Sequence, residues 1–260
     1  MKKFIGCSIL LVISLLTFNC SKNYDALYLE AMDLKNQGKY TEAREVFEKA
    51  AVKKETPEVY KEIANFYIEY SKDYNKAEDY LQKSLKLNPN YPNSIHNMGL
   101  VYLKKYEKSV ENNEINNEYL KTSEQWFTKN INLNPDFGLS YAEYGMVLFY
   151  NKKNNDAVLK IKTGIEKGAN KSYAHLLLGK IYFNGYQDYN LALENFNIAY
   201  NDFGKDPFLL KMMALTNKKL NHINDARTYY HKYIKSLEDS GLPEEMIKKA
   251  REDESKLISG

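Results

Sequence analysis

The chain has only two cysteines, one tryptophan and six prolines in 260 residues. Both cysteines, Cys7 and Cys20, lie near the amino terminus, so beyond residue 20 there is no thiol for a disulfide, a thiolate metal site or a cysteine nucleophile. The four histidines, His96, His175, His222 and His231, show neither H-E-x-x-H nor short H-x-x-x-H spacing. There is no glycine-rich phosphate loop and no G-x-S-x-G, and the 12 glycines are scattered. Charge of one sign is also missing: 37 basic against 34 acidic residues give +3, two of which come from Lys2 and Lys3. A nucleic-acid partner would call for a clustered excess of Lys and Arg, so none is expected. Carboxylates such as Glu42, Glu45 and Glu48 sit at spacings that mark a solvated helix face. These absences predict a protein with no catalytic residues, cofactor, metal or small-molecule substrate.

Long apolar runs are absent too, except for residues 4–18, which follow Lys2 and Lys3 and are broken by Gly6, Ser8, Ser14 and Thr17. A spanning helix needs about 20 apolar residues, so this run reads as the apolar core of an export signal. Thr17-Phe18-Asn19 lacks the small-residue pattern of an ordinary cleavage site. Leu16-Thr17-Phe18-Asn19-Cys20 instead resembles a bacterial lipobox. It departs from the usual form in that Leu16 lies one place upstream and Asn19 replaces Gly or Ala, as in the relaxed boxes of spirochaetal lipoproteins. The resemblance implies that residues 1–19 are removed and that Cys20 carries lipid, including palmitate-type chains. With several acyl chains the anchor would be effectively permanent. Ser21, Lys22 and Asn23 then form a tether of roughly 10 Å at about 3.5 Å per residue. The expected location is the cell envelope, on the periplasmic face of a membrane.

What the remaining chain does have is a period. Ala43, Ala77, Ser123, Ala157, Ala192 and Ala226 recur at separations of 34, 46, 34, 35 and 34. Each is followed four residues later by a large residue: Phe47, Leu81, Phe127, Ile161, Phe196 and Tyr230. Upstream of each lies a small residue, at Ala31, Ala64, Gly99, Gly145, Gly179 and Ala214, with spacings of 12, 13, 24, 12, 13 and 12. Two helices per unit, packed closely through a small residue facing an alanine, account for this pattern. Asn88-Pro89 and Asn134-Pro135 would stop second helices, because the residue before proline is pushed out of the α region.

This register resembles the tetratricopeptide repeat, whose second helix carries A-x-x-x-F and whose units often end in proline. The resemblance implies an all-α solenoid of six helix-turn-helix units over residues 24–240 (about 24–56, 57–91, 92–137, 138–170, 171–206 and 207–240). Residues 241–260 read as a capping helix and tail, with Pro243, Glu244 and Glu245 suited to its first turn. The third unit carries an insertion at residues 107–117, EKSVENNEINN, which is polar and aperiodic. It reads as an extended first helix fraying into a mobile loop, a functional loop being the other reading.

In this family a concave groove is lined by fixed positions of the first helices, and protein segments bind there. Lys61, Asn65 and Asn97 fall at positions of the dicarboxylate clamp of chaperone-binding members, but the remaining basic positions are Leu139 and Glu143. A glutamate would repel a ligand carboxylate, so a complete clamp is not expected. Leu139, Met146, Phe149, Tyr150, Tyr173, Leu176 and Phe183 are expected to form an aromatic, apolar wall across units four and five. Such a patch marks a partner site, unless the superhelix is tight enough for these residues to pack on one another. The expected function is a membrane-anchored interaction scaffold binding an envelope protein or peptide. Assistance to outer-membrane β-barrel assembly and the gathering of cell-wall enzymes are alternatives; a surface adhesin or an enzyme fits less well.

Overall fold

The computed structural model describes residues 23–239 and 244–258. The expected export signal (residues 1–19), the expected lipid attachment point Cys20, and Ser21 and Lys22 lie outside the described residues. Thirteen α-helices occupy the described residues. They pair as α1 (Tyr24–Asn36) with α2 (Tyr40–Lys53), α3 (Pro57–Phe66) with α4 (Tyr74–Leu87), and α5 (Pro92–Glu111) with α6 (Asn117–Leu133). The pairs continue with α7 (Gly138–Tyr150) and α8 (Asn154–Glu166), α9 (Lys171–Ile181) and α10 (Tyr189–Phe203), and α11 (Pro207–Lys219) and α12 (Ile223–Asp239). The last helix, α13 (Glu244–Ile258), packs on α12 and buries Ala250. No helix among the described residues is long and apolar enough to cross a membrane.

Local sequence sets the helix ends. Pro57, Pro92 and Pro207 open three of the first helices, where a missing N–H costs nothing. Asn23, Thr56, Asp73, Asn170, Asp188 and Asp206 each accept a backbone N–H three residues on. Asn88 and Asn134 end α4 and α6, each just before its proline.

Within each pair, close approach is set by the small residues, but their partner differs from expectation. Each glycine faces chiefly the large residue four positions after the alanine. A Cβ on Gly99 would lie 2.7 Å from Phe127, and one on Gly179 would lie 2.4 Å from Phe196. One on Gly145 would lie 2.5 Å from Ile161. The alanines are buried beside these contacts. Where Ser123 replaces alanine, its hydroxyl donates to the Gly99 carbonyl at 2.8 Å, which satisfies the buried hydroxyl.

Every unit turns between its helices on one residue with positive φ: Gly38, Lys72, Asn113, Lys152, Gln187 and Asn221. The two units whose small-to-alanine spacing is 13 rather than 12 absorb the extra residue in a π-helical turn, Tyr67–Ser71 after α3 and Tyr182–Tyr186 after α9.

The insertion is not a frayed loop. It lengthens α5 to 20 residues and starts α6 early, leaving the short turn 112–116. That turn is held by backbone and side chain together. The Glu114 amide donates to the Ser109 carbonyl at 2.8 Å, the Asn116 amide donates to the Ser109 hydroxyl at 3.2 Å, and Asn116 caps α6.

Candidate functional site

The first helices α3, α5, α7 and α9 touch in succession and form the inner face of the solenoid. Across units three to five this face encloses a pocket of about 410 Å³. Of the expected wall, Met146 and Tyr150 of α7 and Tyr173 and Leu176 of α9 line it, with Phe208 of α11 at its far side. The same helices contribute charge: Lys104, Glu107 and Glu111 from α5, Glu143 from α7 and Lys180 from α9.

These groups form two connected sets. Glu107 accepts hydrogen bonds from the Tyr150 hydroxyl at 2.6 Å, Lys104 at 2.7 Å and Lys180 at 3.2 Å. Lys180 also donates to the Tyr150 hydroxyl at 2.9 Å and lies over its ring. Burial pushes the Glu107 carboxyl up, but Lys180 and Lys104 outweigh it and hold its pKa at about 2. Burial works against the Lys104 charge, yet Glu107 and Glu143 outweigh it and raise its pKa above the usual lysine value. Burial and Glu107 together push the Tyr150 hydroxyl far above its ordinary range.

Glu143 behaves in the opposite way. It is 3% exposed and, among the described residues, accepts one hydrogen bond, from the Tyr173 hydroxyl. Burial raises its pKa, and the lysine charges nearby do not reverse that. The Tyr173 hydroxyl is in turn pushed well up by burial and by Glu143.

The expected apolar wall is therefore corrected on two counts. The pocket is mixed aromatic and charged, and only part of the expected wall lines it. Half-buried Phe149 packs against the core and the π turn of unit five, where a Cβ on Gly185 would stand 3.0 Å from its ring. Phe183 packs edge-on against Tyr189 at 5.3 Å, and half-buried Leu139 is not among the pocket residues. Self-packing thus claims Phe149 and Phe183, while the pocket claims Met146, Tyr150, Tyr173 and Leu176.

Lys61, Asn65 and Asn97 do meet, in units two and three, but around a carboxylate of this chain. Glu62 is paired with Lys61 and, at 2.8 Å, with Lys35, and Asn65 donates to it at 3.4 Å. Asn97 donates to Asn65 at 2.6 Å. Burial would raise the Glu62 pKa, but Lys61 and Lys35 outweigh it and hold it below the ordinary value. The clamp positions thus serve an internal ion pair. His96 of α5 is core: it packs between Phe127 and Phe137 and shares a 3.0 Å hydrogen bond with Ser140. Burial lowers its pKa to about 3.

Sequence reasoning missed Glu107, Val110 and Glu111 as pocket residues. The signal was the insertion itself: the other first helices and their π turns end within seven residues of the small register residue, whereas α5 runs 12 beyond Gly99. Those extra turns supply one wall of the pocket.

A model of the tetratricopeptide repeat matches residues 25–53. The photosystem I assembly protein Ycf3 of Synechococcus sp. (strain CC9605) is 31% identical over 133 residues, covering 48% of this chain and 76% of the relative. The chain belongs to the tetratricopeptide-repeat family. The Ycf3 protein of Prochlorococcus marinus is 33% identical over 115 residues, 42% of this chain and 65% of that one. Among solved structures, a thermophilic tetratricopeptide-repeat protein of Thermus thermophilus superposes with a TM-score of 0.64 at 16% identity, over 76% of this chain and 98% of that one. PilW, a type IV pilus biogenesis factor, gives 0.55 at 18% identity, over 70% and 78%. At these identities the structural likeness speaks to fold alone. A tetratricopeptide-repeat scaffold offers an extended concave surface suited to protein–protein interaction, and the pocket lies on that surface.

Proposed function

We propose that this chain is a membrane-anchored, non-enzymatic scaffold of the cell envelope. It holds a segment of a partner protein in the groove of units three to five and so assists the assembly of a larger complex. The observation that carries this reading is the pocket of about 410 Å³, in which aromatic and apolar side chains stand beside fixed charges on the concave face. An assembly role is supported by the sequence relatives, which are named for photosystem I assembly.

The anchor is Cys20, proposed on the lipobox resemblance of Leu16 to Cys20. The short tether that follows favours partners at the same membrane over distant soluble ones.

The test is capture from detergent-solubilised envelope by the wild-type chain and by a Leu176→Glu, Phe208→Glu variant, read by mass spectrometry. A partner enriched by the wild type and lost from the variant supports the groove reading; equal recovery by both rejects it. The identity of the captured protein sorts the finer roles: a β-barrel assembly component supports outer-membrane assembly, and a cell-wall enzyme supports a peptidoglycan scaffold.

A further inference from the structure

Three carboxylates of the first helices are largely withdrawn from solvent: Glu62, Glu107 and Glu143, with side-chain or residue exposures of 6%, 20% and 3%. Glu62 has two lysine partners, Lys35 and Lys61, and Glu107 has two, Lys104 and Lys180. Glu143, the most buried of the three, forms no ion pair among the described residues. Its Oε1 accepts the Tyr173 hydroxyl, and its Oε2 has no hydrogen-bond partner among the described residues although Glu143 lines the pocket. A carboxylate in this state carries most of the cost of leaving water with little of the compensation.

The lining of the pocket also carries more carboxylates than cations, one of those carboxylates, Glu111, being exposed to solvent. The charged lining residues are two lysines, Lys104 and Lys180, against three glutamates, Glu107, Glu111 and Glu143. Both lysines are committed to Glu107 at 2.7 and 3.2 Å. The pocket is one cation short, and the unpaired carboxylate lies between aromatic and aliphatic surfaces suited to a long alkyl stem.

Resting on the reading of this pocket as the partner groove, we propose that its occupant is a basic side chain, lysine or arginine, within an apolar stretch of the partner segment. The ammonium or guanidinium group donates to Glu143, and its stem lies against Tyr173, Met146 and Leu176. Val110 and Phe208, 39% and 45% exposed at the rim, meet the flanking apolar residues. This is the reverse of a carboxylate clamp. The raised pKa of Glu143, caused by burial and incompletely offset by Lys104, agrees with a carboxyl that gains from an incoming cation. The facing groups that bear on it are Lys104 and Glu107 from α5 and Tyr173 and Lys180 from α9.

The test is selection from a random-hexapeptide library on the full-length chain in non-ionic detergent, comparing wild type with Glu143→Gln. Peptides with Lys or Arg beside an aromatic or aliphatic residue should be enriched by about tenfold over their Asp or Glu counterparts, as a charge-assisted hydrogen bond implies. Glu143→Gln should lose the basic preference and keep the apolar one. Enrichment of acidic or uncharged peptides by the wild type, or a basic preference unchanged in Glu143→Gln, would overturn the basic-occupant assignment and leave the groove reading standing. No enrichment of any class would overturn both. The wild-type selection decides between basic and acidic occupants even if the variant fails to fold.

Discussion

Glu107 and Lys180 lie 3.2 Å apart, although 73 residues and the whole of unit four separate them. Units of a solenoid ordinarily touch only their neighbours, so this contact fixes the curvature of units three to five as well as the floor of the pocket. Tyr150 of the intervening unit bonds to both residues and closes the bridge.

Glu107→Gln should therefore destabilise the chain by about 2 kcal/mol at neutral pH, between the values usual for exposed and fully buried pairs. The folded pKa of Glu107 is about 2, below its ordinary value of 4.5. Its contribution is thus present above about pH 4.5 and is lost as the pH falls toward 2. Urea unfolding of wild type and variant across that range should show the two curves converging in acid.

Glu143 should show the opposite sign. Its folded pKa is raised above 4.5, so the wild type loses stability relative to Glu143→Gln as the pH rises through the folded value. Parallel urea titrations of Glu143→Gln check this. A variant less stable than wild type by a margin that widens from acid to neutral pH would contradict the assignment.

Gly179→Ala should cost about 1–3 kcal/mol, because the added Cβ would meet the Phe196 ring, whose nearest atom lies 2.4 Å away. Pairing it with Phe196→Leu should recover part of the loss. Thermal unfolding of the single and double variants measures both effects.

Lys152 turns from α7 to α8 at φ 63°, a conformation that costs an L-residue about 1–2 kcal/mol and glycine almost nothing. Lys152→Gly should stabilise the chain by about 0.5–1 kcal/mol, since the greater freedom of unfolded glycine offsets part of the gain. An unchanged or lower midpoint in thermal melts would show that this turn carries no such strain.

Much of this architecture is legible in the residues. The alternation of 12 and 13 between small residue and alanine marks even the units that carry π turns. The large residue four places on is the one that each glycine meets. The insertion was opaque for a physical reason: a polar, aperiodic stretch has no stripe to read, and its order comes from Ser109, Asn113 and Asn116 acting together in one turn. The pocket was half legible. First-helix positions pointed to Met146, Tyr150, Tyr173 and Leu176, but periodicity alone cannot say which aromatic of an adjacent pair faces inward. Phe149 and Tyr150 are neighbours in sequence, yet one packs on Gly185 while the other bonds to Glu107. Nor can spacing show that Lys61, Asn65 and Asn97 are already engaged around Glu62.

The proposed anchor has its own check. Cys20→Ser should abolish metabolic incorporation of a clickable palmitate analogue and shift the protein from the membrane pellet to the soluble or unprocessed fraction. Labelling that persists in the variant would remove Cys20 as the attachment point.

The central claim, that the concave pocket of units three to five is where a partner binds, is tested most directly by site-specific photo-crosslinking in intact cells. A photoreactive phenylalanine analogue is placed at Phe208, at the pocket, or at Leu159, 66% exposed on the second helix of unit four. A discrete adduct with one envelope protein is expected from position 208 and none from position 159. Adducts of equal yield from both positions, or from position 159 alone, would contradict the claim.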